Sequence, residues 1–366
     1  MPWDSWTAED RRAALLGAVL LVLGVGFHAA TSQFLTAENL YNLLQQTAVT
    51  GIVAAALSLL IIARQIDLSV GSLLGVVGVL MAWLMYEHGW SWPLAVGAAL
   101  AVSLAVSLVQ GGLTAWLGVP SFVVTLGGLV SLRGAAFLVA DGKTQPVTDE
   151  SFLALGGGLD GSLGVMGSWL LALLLLALLP WWREPRRAAI YALVLLGVTA
   201  LCASYRVMPE RLGQGLPYPL LVWAAAVALL QLLATRTRLG RHTYALGSNP
   251  EAVRLAGVPV PWVLVRLYLL LGAAVALAAL VAVARLNAGT NSLGTGLELQ
   301  AIAAAVIGGV ALAGGAGSPL GTVLGALLMQ VLDNGLLLLD VPIGWRMVLI
   351  GQVLIVAVVL DRRSAR

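Results

Sequence analysis

Leu170-Leu171-Ala172-Leu173-Leu174-Leu175-Leu176-Ala177-Leu178-Leu179 holds no polar side chain at any position. A strand of a membrane barrel alternates apolar and polar residues over about 10 positions, so an unbroken run excludes that architecture. A helix satisfies its own backbone hydrogen bonds and can hold such a run in lipid. The same texture extends outward in both directions. Of 366 residues, 60% are hydrophobic and 10% are charged, against about 25% charged in soluble domains. A soluble fold of this length would need far more polar surface. The expected fold class is therefore an all-α integral membrane protein.

A spanning helix needs about 20 apolar residues, each rising about 1.5 Å, to cross about 30 Å of hydrocarbon. Runs of this kind occupy 13–31, 45–63, 70–87, 92–117, 121–140, 166–182, 188–205, 217–234, 262–284, 298–314, 319–340 and 343–361. The expectation is about twelve transmembrane helices, with both termini on the same side. An inside N-terminus places Arg11, Arg12, Arg64, Arg183, Arg186, Arg187, Arg236, Arg238, Arg241, Arg254, Arg266, Arg362, Arg363 and Arg366 inside. Only Lys143, Arg206, Arg211, Arg285 and Arg346 then fall outside, and Arg133 is left within a segment. That asymmetry follows the positive-inside rule and makes both termini cytoplasmic.

Cys202 is the one cysteine, so no internal disulfide can form, and His28, His88 and His242 lack metal-ligand spacing. The first apolar run follows Asp4, Glu9 and Asp10 without a small-residue cleavage site, which predicts a retained helix.

Two stretches of the chain resemble each other. Asp67 to Ala82 aligns with Glu298 to Ala313, Ala63-Arg64 with Ala284-Arg285, and Gly112-Leu113 with Gly335-Leu336. With twelve crossings the first unit starts outside and the second inside, which predicts an inverted repeat with the pathway between its halves. The expected organisation is a single permease domain over 1–366. A first repeat unit spans 45–140, an outer loop with extra helices 141–234, a cytoplasmic loop 235–261, and a second unit 262–361. The turn Trp181-Trp182-Arg183-Glu184-Pro185-Arg186-Arg187 within the extra helices joins an aromatic belt to basic residues.

The cytoplasmic loop contains Arg236-Thr237-Arg238-Leu239-Gly240-Arg241-His242-Thr243-Tyr244-Ala245-Leu246-Gly247-Ser248-Asn249-Pro250-Glu251-Ala252-Val253-Arg254-Leu255-Ala256-Gly257. It is long enough for a short helix, capped by Ser248 or Asn249, with Pro250 in its first turn and Gly257 at its end. Glu251 and Arg254 then sit at the helix ends that suit their charges. Such a helix can be an ordinary surface element or a docking element.

Two further stretches place polar groups in apolar surroundings. Ile66-Asp67-Leu68-Ser69-Val70-Gly71-Ser72 puts an acid beside hydroxyls and glycines at a helix start. At the bilayer centre Asp67 would cost about 2.5–3.5 kcal/mol, part of which a helix N-terminus offsets. Helix capping and substrate contact are both open to it. Gly308-Gly309-Val310-Ala311-Leu312-Ala313-Gly314-Gly315-Ala316-Gly317-Ser318-Pro319-Leu320-Gly321-Thr322 permits tight turns and close helix approach, and Asp333-Asn334 follows within an apolar run. Neither a P-loop nor a dinucleotide fingerprint is present.

These three motifs closely resemble the permeases of sugar-type ATP-binding-cassette (ABC) importers, the ribose, xylose, arabinose and galactose group. Thr237, Arg238, Gly240, Arg241, Tyr244, Ala245, Gly247, Asn249, Glu251, Ala252, Arg254, Leu255 and Gly257 match that family's coupling loop, and matches extend from residue 39 to 361. The Arg64-Gln65 pair departs from the small residues that often precede the family's Asp67 motif. The resemblance implies a homodimeric permease in the bacterial inner membrane. Its partners would be ABC ATPase subunits holding Mg-ATP and an extracytoplasmic sugar-binding protein, with no cofactor, metal or catalytic residue in this chain and no nucleic-acid partner. It implies that the 235–261 loop docks on the ATPase. Asp67, Ser69, Ser72, Glu298, Asp333 and Asn334 are the candidate pathway residues, and Asp67 and Asp333 are expected on inward faces. The extra helix pair leans toward the xylose branch. The competing readings are a nucleoside or branched-chain amino-acid permease of related architecture and, more distantly, a membrane-embedded enzyme.

Overall fold

The computed structural model describes residues 7–157, 160–178, 185–206 and 213–364. Its elements, in chain order, are α1 (Ala8–Thr31), α2 (Ala37–Ile62), α3 (Val70–Tyr86), α4 (Trp92–Ala115), α5 (Ser121–Val139), β1 (Gln145–Pro146), α6 (Glu150–Ala154) and α7 (Gly164–Leu178). There follow α8 (Pro185–Ser204), α9 (Tyr218–Arg236), α10 (Arg238–Ser248), α11 (Pro250–Leu255), α12 (Val260–Leu286), β2 (Ala288–Gly289), α13 (Leu297–Ile307), α14 (Thr322–Leu338) and α15 (Ile343–Ser364). Most of the turn at 181–187 lies outside the described residues.

Among the described residues, six helices are long and apolar enough to cross a membrane: α1 from Asp10 on, α2, α4, α5, α9 and α12. Six shorter apolar helices accompany them. The chain is an all-helical, multi-pass membrane protein. The tenth predicted segment, 298–314, is a helix only as far as Ile307. Gly309, Gly314, Gly315 and Gly317 all have positive φ, a conformation that ends the helix and turns the chain without Cβ strain.

The spans divide by burial. In α2 and α12, 89% and 78% of the apolar window is buried inside the protein, against 6% in α1 and 11% in α5. The first pair therefore runs through the middle, and the second pair lies on the periphery. Both central helices are rich in Ala, whose small side chain lets neighbouring backbones approach closely. On α12, a Cβ placed on Gly272 would stand 2.2 Å from Ser107 Oγ of α4, and Ser103 of α4 donates to the Gly272 carbonyl at 2.7 Å. On α14, a Cβ on Gly325 would stand 1.9 Å from the Ala304 carbonyl oxygen of α13.

The packing has a paired pattern. α3 lies against α12, α4 and α5, and α13 lies against α2, α14 and α15. Two breaks interrupt this set of helices, at 63–69 between α2 and α3 and at 287–296 between α12 and α13. The second break starts at a short antiparallel pairing of β1 with β2 and then runs back along α3.

Candidate functional site: a helical platform and two broken helices

The 235–261 segment forms two helices. Thr237 caps α10 by accepting from the Gly240 N–H at 3.2 Å, and Asn249 caps α11 by accepting from Ala252 N–H at 3.1 Å. Such caps are each worth about 0.5–2 kcal/mol. Pro250 stands at the first turn of α11, and Gly257, at φ +76°, follows its end. Ser248 does not cap α11; its hydroxyl donates back to the Tyr244 carbonyl.

On α10, Gly240, Thr243, Leu246 and Gly247 are buried, and Arg238, Arg241, Ala245 and Ser248 are exposed. The glycines are needed for space. A Cβ on Gly240 would stand 2.0 Å from the Ala234 carbonyl oxygen, and one on Gly247 would stand 1.8 Å from that of Ile62. α11 buries Val253 and exposes Glu251, Ala252 and Arg254, with Leu255 84% exposed. Charged and apolar side chains thus project together from a pair of helices whose inner face is fixed.

Arg64, which follows α2, ties down the end of that face. It donates from Nε to the Gly247 carbonyl at 2.6 Å and from Nη2 to the Ser248 carbonyl at 3.0 Å. Those are among the last carbonyls of α10, where a cation is favoured by the helix dipole. Nearby, the Gly315 N–H donates to the Ile62 carbonyl at 2.9 Å, and the Tyr244 hydroxyl donates to the Gly317 carbonyl at 2.7 Å. The end of α2, the end of α10 and the turn at 314–317 therefore meet at one junction. Arg64 has φ +63°, a left-handed conformation that costs a residue with a Cβ about 1–2 kcal/mol.

Three residues further on, the buried Asp67 accepts from both the Ser69 N–H and the Ser69 hydroxyl at 2.7 Å. This is a two-residue turn just ahead of α3; Ser69, the residue at the helix boundary, makes no side-chain cap. Gln110 of α4 donates to Ser69 Oγ at 2.9 Å. Ser121 accepts from the Ile66 N–H at 3.2 Å, which joins the same turn to α5. Ser72 is buried in the first turn of α3.

The second break lies against the first turns of α3. A Cβ on Gly71 would stand 2.2 Å from both the Gly294 carbonyl oxygen and Glu298 Oε2. From the other side, a Cβ on Gly294, at φ +73°, would stand 2.3 Å from the Gly71 carbonyl oxygen. Arg133 of α5 donates from Nη1 to the carbonyls of Asn291 and Leu293, at 3.0 and 2.9 Å. Asn291 Oδ1 and Glu298 Oε2 are buried there without a hydrogen-bond partner. Arg133, left without a role by the sequence, thus holds the turn that presents Glu298.

Asp333 and Asn334 lie elsewhere. Arg346 of α15 reaches Asp333 at 3.3 Å. Asn334 exchanges two amide hydrogen bonds, at 2.9 and 3.0 Å, with Asn39 at the start of α2. Gln330 donates to Gln46 at 2.7 Å, one turn away along α14 and two along α2. Asp67 follows the end of α2, so about 35 Å of helix separates its turn from the Asn334 clasp. The six candidate pathway residues thus fall into three places: Asp67, Ser69 and Ser72 at one, Glu298 against α3, and Asp333 with Asn334 at the far end of α2.

A polytopic helical body with interrupted central helices and a charged platform at one end defines the permease class of membrane protein. The chain belongs to the family described as branched-chain amino acid transport system / permease component, whose profile matches residues 39–358. Among curated proteins it is 35% identical to the xylose transport system permease protein XylH of Haemophilus influenzae, over 96% of each chain. It is 36% identical to the Escherichia coli protein of that name, over 96% of this chain and 92% of the relative. The ribose import permease protein RbsC of Escherichia coli is 34% identical, over 98% of this chain and 95% of its own. The resemblance drawn from the motifs is borne out. No solved structure matches the chain significantly.

Proposed function

We propose that this chain is the membrane subunit of an ABC importer, moving a monosaccharide, most specifically a pentose such as xylose, across the bacterial cytoplasmic membrane. Separate ATPase subunits would hydrolyse the ATP, an extracytoplasmic binding protein would deliver the sugar, and a second copy of the chain would complete the pathway. The observation that supports this best is the α10–α11 platform in a chain collinear with xylose permeases. Arg238, Arg241, Glu251, Arg254 and Leu255 project from helices fixed by Gly240, Gly247 and Asn249. That is a surface built to be pushed.

Twelve crossings with cytoplasmic termini put this platform inside the cell. The paired packing of α3 and α13 supports an inverted repeat, with α2 equivalent to α12 and α4 to α14. In that arrangement, ATP-driven movement of the platform passes into the broken helices. The contact of Gly71 with Gly294 and Glu298 is then where the pathway opens. Asp67 and Ser69 hold the entry turn of α3, and Glu298 with Arg133 offers an acceptor and a donor to sugar hydroxyls.

The family's description motivates a second reading, an amino-acid substrate, for which the opposed charges of Arg133 and Glu298 would read the zwitterion. Proteoliposomes holding the full complex and its binding protein separate the two. ATP-dependent uptake of labelled xylose, undiminished by excess leucine, is expected. Uptake of leucine in place of any pentose would overturn the sugar assignment.

A further inference from the structure

We infer that Arg64 is the positioning residue through which the platform moves the broken helix α2–α3, an inference that rests on the coupling role proposed for α10 and α11. Among the described residues, the guanidinium is the polar side chain that bonds the end of α10 directly to the α2–α3 break. It holds the Gly247 and Ser248 carbonyls at 2.6 and 3.0 Å across 183 and 184 residues of chain. Its stem packs on the turn that α10 also touches, since a Cβ on Gly314 would stand 2.4 Å from Arg64 Cγ. Its backbone, at φ +63°, makes the bend that ends α2. The Asp67–Ser69 turn begins three residues later.

The geometry makes one direction of transmission stiff. A displacement of α10 along its axis pulls on two charge-assisted hydrogen bonds from a planar fork, which resists shear better than one bond from a flexible amine. The bend that receives the pull sets the start of α3, and the first turn of α3 meets Gly294 and Glu298. Buried packing of Gly247 on Ile62 keeps the helices adjacent without Arg64. Removing the fork should therefore loosen the transmission and leave the fold in place.

The test uses the full complex in nanodiscs, with Arg64→Ala, Arg64→Lys and Glu251→Lys beside wild type. Three quantities are read: retention of the ATPase subunits, basal ATP turnover with its stimulation by loaded binding protein, and amide exchange over 245–249 and 314–317. Arg64→Ala is expected to keep its ATPase subunits and basal turnover, to exchange faster in both segments, and to lose stimulation by roughly 5-fold or more. Arg64→Lys, able to make one of the two bonds, should fall between. Unchanged exchange, or full stimulation in Arg64→Ala, would overturn the inference. If Arg64→Ala fails to assemble, Arg64→Lys decides: reduced stimulation at intact assembly supports the role, and wild-type stimulation refutes it. Glu251→Lys judges the coupling reading separately, because stimulation that survives there removes that reading whatever Arg64 does.

Discussion

The α10–α11 platform and the contact between α3 and the 287–296 break are built on opposite principles. At the platform, charges face outward and make no ion pair among the described residues, and a leucine is left 84% exposed. At the α3 contact, glycines remove side chains so that backbones meet, and Asn291 Oδ1 and Glu298 Oε2 are buried without partners. On the proposed reading the first is the surface that meets the ATPase subunit. The second is a seam between two segments of one chain, which the proposed function makes the place where a change of separation exposes groups able to bond a polar substrate. Junctions such as Arg64 and Ile62 with Gly247 and Gly315 connect the two kinds of site.

The comparison can be broken first at its exposed side. Charge reversal in Glu251→Lys should abolish substrate-stimulated ATP turnover and uptake while the permease still inserts, because only the outer surface of α11 changes. Intact stimulation in that variant would mean that the platform is an ordinary surface. At the buried side, Gly71→Leu drives a side chain into the Gly294 carbonyl and Glu298, and overpacking costs about 1–3 kcal/mol. Its effect should fall at the upper end, because backbone cannot move aside as a side chain can. Thermal unfolding in detergent reads it, and an unchanged midpoint would show that the seam is loose.

Asp67 sharpens the comparison with smaller effects. Asn keeps an acceptor for Ser69, so Asp67→Asn should leave stability nearly unchanged, whereas Asp67→Ala should cost about 0.5–2 kcal/mol if turn formation is its role. Uptake and stability measured together separate the two roles. Parallel losses assign Asp67 to the turn, and lost uptake at wild-type stability assigns it to the pathway.

The same contrast explains what was legible in the sequence. α11 could be read residue by residue, because Asn249, Pro250, Glu251 and Gly257 act on their own neighbours. α10 is harder to read, since Gly240, Thr243 and Gly247 are weak helix formers. The signal was present in the spacing of Leu239, Thr243, Leu246 and Gly247, which place one face of α10 against the protein. Arg64 could be assigned a side of the membrane and Arg133 a segment, but the partners of neither could be read. Those partners lie 183 and 158 residues away, and no local pattern around either arginine points to them. The run at 298–314 has the composition of a spanning helix, and only the left-handed glycines end it at Ile307.

Leu255 offers the most direct measurement, because its side chain is 84% exposed beside Glu251 and Arg254 and touches nothing the account needs elsewhere. Cys202, the native cysteine, is buried, so a cysteine at position 255 can be addressed alone. In native membranes containing the assembled importer, Leu255→Cys should cross-link to the ATPase subunit with a short reagent, and ATP should change the yield. Strong labelling of that cysteine from the extracytoplasmic side, with no cross-link to the ATPase, would contradict both the orientation and the coupling role.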